Sequence, residues 1–168
     1  MWADAGALML FWFVATAVLS VHLVFRDLAF DHRLLIVGAI VPVLGGLVGD
    51  ASAVLLSMAT PVVVLAVLMA VTTGRKPIRR TLLGLPIGMF LHLVFTGSWT
   101  EGQRFWWPAL GGSIADITSP VASRGLWNLP LELLGFLLLV ALLRRARLDD
   151  VERRREFISR GVLDLSVR

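Results

Sequence analysis

The 168-residue chain contains no cysteine, so neither a disulfide framework nor a thiolate zinc site is open to it, and its redox compartment is left undetermined. Charge is also scarce. Only 17% of residues are Asp, Glu, Lys or Arg against 57% hydrophobic, and the few charges gather in short clusters between long apolar runs. A soluble surface spreads them instead. The net charge of +4 does not point to nucleic acid, because the arginines flank apolar segments and do not cover a water-facing surface. No Lys or Arg precedes the first apolar run, where Asp4 stands, so the basic n-region of a cleavable signal peptide is missing and the first segment is expected in the mature chain. A phosphate-binding glycine loop is excluded, since Gly45, Gly46 and Gly49 are not followed by Lys-Ser or Lys-Thr. A Gly-x-Ser-x-Gly nucleophile elbow is missing as well.

What remains is a series of apolar runs. Ala5 to Phe25 covers a hydrocarbon core of ~30 Å at ~1.5 Å per helical residue. Leu34 to Gly49 is short and carries Pro42 with Gly38, Gly45, Gly46 and Gly49, so it is expected inside a bundle, where neighbours satisfy freed backbone groups. Ala51 to Thr73 holds Pro61, and Leu82 to about Trp99 holds Pro86. A polar, Trp-rich stretch over 97–128 follows, with Trp99, Trp106, Trp107 and Trp127 suited to headgroup level. The last run reaches Leu143 from about Leu126 and is closed by Arg144, Arg145 and Arg147.

These runs predict an all-α integral membrane protein of about five transmembrane helices (5–25, 34–49, 51–73, 82–99 and 126–143). Alternating the loops puts fourteen Lys and Arg residues on one face and only Arg104 and Arg124 on the other. By the positive-inside rule the basic face is cytoplasmic, which places the N-terminus, the turn at Asp50 and the Trp-rich loop outside a multi-pass cell-membrane protein. The organisation expected is a helical bundle over 1–147 and a basic cytoplasmic tail over 148–168, either lying on the inner leaflet or solvated. The four-residue spacings Gly45/Gly49 and Gly84/Gly88 are expected to pack helices within the chain.

Ionisable groups within an apolar run are costly and mark candidate sites. His92 lies in the middle of the fourth run and must find a partner. Two readings stand: a metal ligand or proton carrier facing the bundle interior, or a neutral histidine bonded to a backbone carbonyl or hydroxyl. His22 and His32 read as interfacial. Glu132, near the start of the last helix, has Arg104 or Arg124 as possible partners, and its charge suits a helix N-terminus.

The stretch Pro86-Ile-Gly-Met-Phe-Leu-His92-Leu-Val-Phe-Thr96-Gly-Ser-Trp-Thr100-Glu101-Gly102-Gln-Arg-Phe-Trp106-Trp107-Pro108 resembles the membrane-bound metal-dependent hydrolase family. In that family a membrane helix carries His-x-x-x-Asp, then Thr, Gly and a Trp-Pro sequence. His92, Thr100, Gly102, Trp106, Trp107 and Pro108 keep the pattern, while Thr96 stands at the aspartate. Upstream, the segment around Pro42 looks like the family's Leu-Pro-Asp motif with its proline kept, but Val43 and Gly45 or Gly46 replace the acids. Leu56, before Ser57, stands where the family has a histidine, and no histidine lies between Ala7 and Phe13, where the resemblance implies another. A hydrolytic metal site needs about three protein donors and an open position. His92 alone survives of the implied set.

The expected function is therefore a non-catalytic relative that binds a lipid or a membrane partner and needs no cofactor. The alternatives are an active hydrolase of a lipid-like substrate, with a divalent metal in a displaced set around His92, Asp50 and Glu101, and an accessory subunit of a membrane complex.

Overall fold

Backbone donors and acceptors in a long apolar run have no polar side chains to turn to, and a helix satisfies them within the run. The computed structural model describes residues 9–25, 30–45, 54–110 and 124–165, and every regular element among them is helical. In chain order these are α1 (Leu10–Phe25), α2 (His32–Gly45), α3 (Ala59–Val71), α4 (Lys76–Leu82), α5 (Gly84–Thr96), α6 (Gly102–Phe105), α7 (Asn128–Arg145) and α8 (Val151–Arg160), with 3-10 turns at Ser98–Thr100 and Gly125–Trp127.

Two helical stretches, Pro77–Thr96 and Gly125–Arg145, are long and apolar enough to cross a membrane, while Leu10–Phe25, His32–Leu44 and Ala59–Val71 are shorter apolar helices. Several expected boundaries shift. The fourth run gains a turn on its N-terminal side, because Pro77 sits in the first turn of α4, where its missing N–H costs nothing. Pro86 then cannot donate to the carbonyl of Leu82, and the helix is interrupted at Leu83. It ends at Thr96, not Trp99, since Gly97 takes φ 76°, a left-handed stop that suits glycine. Between Val54 and Ala59 the chain turns before α3 begins.

The closest helix pair is α2 against α5. A Cβ on Gly38 would lie 2.1 Å from the Leu85 carbonyl oxygen, and one on Gly88 would lie 2.2 Å from that of Leu35, so both backbones meet where side chains are absent. Gly84 and Gly88 thus pack within the chain, with Gly38 as the facing glycine. Gly49 lies outside the described residues.

α1 packs on α7 through a second device. Glu132 accepts hydrogen bonds from the Phe11 and Trp12 amides, both at 3.0 Å, and so caps the first turn of α1 in place of an N-cap residue. Gly135, one turn further along α7, admits the Trp12 backbone, which would stand 2.3 Å from a Cβ there. Of the partners open to it, Glu132 thus takes the amides at the start of a neighbouring helix.

Residues 148–165 do not stand apart from the bundle. After α8, Gly161 turns the chain at φ 72° and residues 161–165 return as a strap that seats Leu163 and Leu165 in the core with Val18, Val21 and Phe30. Leu165 is fully buried, which is worth about 2 kcal/mol for its side chain. The strap is also held by polar contacts. The His32 amide donates to the Gly161 carbonyl at 2.9 Å, Arg145 Nε donates to the Leu165 carbonyl at 2.8 Å, and Arg33 Nη1 donates to the Ile158 carbonyl at 2.7 Å. Arg33 is itself fixed by Asp31 at 2.7 Å.

Candidate functional site at the tryptophan-rich end

The helices that approach His92 decide what it can do. Its ring is 3% exposed, lies 4.0 Å from the Phe13 ring between centroids, and places Nδ1 2.8 Å from the Ala39 carbonyl. A carbonyl only accepts, so Nδ1 carries the proton. This is the geometry of a histidine bonded to backbone. Thr96, one turn later, is fully buried, and its hydroxyl donates to the His92 carbonyl at 2.6 Å. Arg124 in turn donates to the Thr96 carbonyl, setting a cation at the C-terminal end of α5, where the helix dipole favours it.

The other positions marked by the resemblance are filled by hydrocarbon packing. Val43 packs with Met9 and Phe13, and Leu56 packs with Leu93 and Phe105. Gly46 and Asp50 lie outside the described residues. Pro42 is buried inside α2. Thr100 turns its hydroxyl to the Gly97 carbonyl at 2.7 Å, and Gly102, Trp106 and Pro108 are exposed, with Trp107 half-buried. Among the described residues no three of His, Asp and Glu come together. The proton on Nδ1 leaves Nε2 as the ring's free lone pair, and no pair of carboxylates or histidines joins it among the described residues to complete a metal's donor set.

A different group of polar side chains does gather just past α5. Ser98 and Arg104 are buried, at 0% and 4% exposure, and Glu101 is half-buried between them in the chain. Ser98 Oγ, Glu101 Oε2 and Arg104 Nε are all buried without a hydrogen-bond partner. Burial pushes the Arg104 guanidinium below its ordinary pKa, and the Glu101 carboxylate acts in the opposite direction. Orphaned buried atoms of this kind carry a desolvation cost of about 1–3 kcal/mol each unless water or a ligand meets them. Trp99, Trp106 and Trp127 are exposed around this end, at 61, 51 and 76%.

Beside the polar group runs an apolar groove of about 290 Å³ between α3 and α5, lined by Met58, Pro61, Leu65, Pro86, Ile87 and Phe90 among others. Met58, on the wall of this groove, donates its amide to the Phe105 carbonyl at 2.8 Å. Sequence reading singled out Glu101 but not Ser98 or Arg104 as its companions. The available signal was their spacing, since Ser98, Glu101 and Arg104 recur every three residues in a segment otherwise rich in aromatics.

Fold and site together define a protein whose described residues form helices alone, two of them of membrane-crossing length, with orphaned buried polar atoms past α5 and an apolar groove between α3 and α5. No family model, curated protein or solved structure matches the chain.

Proposed function

We propose that the protein is a multi-pass membrane protein with the five-span, N-terminus-outside arrangement expected from the sequence, and that it binds a lipid without hydrolysing it. The observation that carries this reading is the groove between α3 and α5. Its lining is apolar and its volume of about 290 Å³ lies just below the ~300–1,000 Å³ range of ligand pockets, and Met58 on its wall is hydrogen-bonded to Phe105, the residue after Arg104. An acyl chain suits such a groove, and a polar headgroup suits the orphaned atoms of Ser98, Glu101 and Arg104. The exposed tryptophans agree with an end that sits at headgroup depth.

The test uses a lipid with a photoactivatable acyl chain, reconstituted with the purified protein. Labelling of peptides from α3 and α5 is expected, and Ile87→Trp, which fills the groove, is expected to reduce it severalfold. Labelling that is uniform over every helix would overturn the groove as a site.

One observation favours the hydrolase reading, namely the unpartnered Oε2 of Glu101. Metal analysis of the purified protein addresses it. Stoichiometric zinc or manganese lost in His92→Ala would replace the non-catalytic reading with the displaced set of His92, Asp50 and Glu101.

A further inference from the structure

At the arginine-rich end, α7 finishes with an exception to the usual chemistry of helix termini. The Arg147 amide donates to the Arg144 carbonyl at 3.1 Å and the Leu148 amide donates to the Leu143 carbonyl at 3.4 Å, a Schellman-type closure in which the residue after the C-cap must take a left-handed conformation. Glycine normally holds that position, because any Cβ is strained there. Here it is Arg147, at φ 50°, the one non-glycine residue with positive φ among the described residues. A strained backbone that glycine would relieve points to a use for the side chain.

That side chain lines a surface pocket of about 560 Å³ with Leu143, Arg144, Leu148 and Asp149. Arg144 and Arg147 against Asp149 leave the pocket one net positive charge. Above it, Leu129, Leu133, Phe136, Val140 and Leu143 follow the three- and four-residue spacing of one face of α7. Four of these are exposed, from 42 to 60%, and Leu143 at the end of the series lines the pocket with Arg144 and Arg147. A hydrocarbon strip about 21 Å long thus ends at two guanidinium groups.

We propose that this pocket binds the phosphodiester of an anionic phospholipid, with Arg144 and Arg147 on the phosphate and the acyl chains along the exposed face of α7. The inference rests on the membrane-embedded reading above. A phosphodiester carries one negative charge, which matches the pocket. Guanidinium groups meet phosphate oxygens through paired charge-assisted hydrogen bonds, and basic pockets beside membrane helices on the cytoplasmic side suit anionic headgroups.

The experiment is native mass spectrometry of the full chain in detergent, incubated with phosphatidylglycerol, with phosphatidylcholine or with inorganic phosphate alone, together with thermal melting of each variant. Wild type is expected to retain phosphatidylglycerol in preference to phosphatidylcholine. Arg147→Gly is expected to lose about tenfold of that preference while melting at or above the wild-type temperature, since glycine relieves the strain. A residue needed only for the fold would give the opposite pair of results. Arg144→Gln is expected to lose the preference likewise, and Arg147→Lys is expected to fall between, because it keeps charge without the planar fork.

Equal retention of the two lipids by wild type, or undiminished preference in Arg147→Gly, would overturn the proposal. Inorganic phosphate that competes as well as the lipid would overturn the lipid as the source of the phosphate. Extraction of the chain from membranes by alkaline carbonate without detergent would instead remove the membrane reading on which it rests, and the two failures are read from separate measurements.

Discussion

At the scale of single residues, Glu132 and His92 each direct a polar group at backbone. Glu132→Ala leaves two amides of the first turn of α1 without their acceptors, and hydrogen bonds to a charged group are worth about 1.5–3 kcal/mol each. Thermal melting in detergent is expected to show a loss of roughly 3 kcal/mol, with Glu132→Gln losing about half. His92→Phe keeps a ring beside Phe13 but leaves the buried Ala39 carbonyl without its donor, and a loss of about 1–3 kcal/mol is expected. A variant as stable as wild type would show that water replaces the imidazole. That His92 would have to find a polar partner was legible in the sequence, because a ring nitrogen inside an apolar run has no water to turn to. The partner of Glu132 was not. It is set by a contact 120 residues away, and nothing local to α7 distinguishes an amide acceptor from an arginine partner.

Among the elements, the glycines separate packing from conformational freedom. Gly88→Ala places a Cβ 2.2 Å from the Leu35 carbonyl, so α2 and α5 must move apart at a cost of about 1–3 kcal/mol. Gly102→Ala has nothing within 4 Å of its Cβ and is expected to melt with the wild type. The pairing of Gly84 and Gly88 could be read from their spacing, whereas their true counterpart, Gly38, has no spaced partner to mark it. The strap was hidden for a related reason. Leu163 and Leu165 flank Asp164 in a basic tail, and only the three-dimensional return of the chain buries them.

The strap also carries a pH dependence. His32 is buried, its Nδ1 lies 3.2 Å from the Gly161 carbonyl, and desolvation holds its pKa below the ordinary 6.5 against the opposing effects of that bond and of Asp31. The undocked state therefore binds the proton more readily. Docking stability is fully present above about pH 6.5 and is lost as pH falls through the lowered value. Hydrogen exchange at residues 161–165 is expected to quicken on acidification, and His32→Gln is expected to flatten that response.

For the whole molecule, the direction in which the helices alternate sets one end rich in tryptophan and the other rich in arginine. If the proposed orientation holds, Ser159→Cys stays unlabelled by an impermeant thiol reagent in intact cells while Ser113→Cys is labelled, and the reverse pattern inverts the topology. The helical class was legible from the apolar runs, since a run of that length has few other ways to satisfy its backbone. The turn of helix added before Leu83 was not, because Arg75, Lys76, Arg79 and Arg80 read as a loop until Pro77 is seen to open a helix.

The carboxylate that completes α1 has a consequence for the order of assembly. On the ribosome, the first turn of α1 emerges with two amide protons whose acceptor is still 121 residues from being synthesised. The α2–α5 pair can close within its own stretch of nascent chain, whereas the N-terminal helix waits for nearly the whole protein before it can take its final seat.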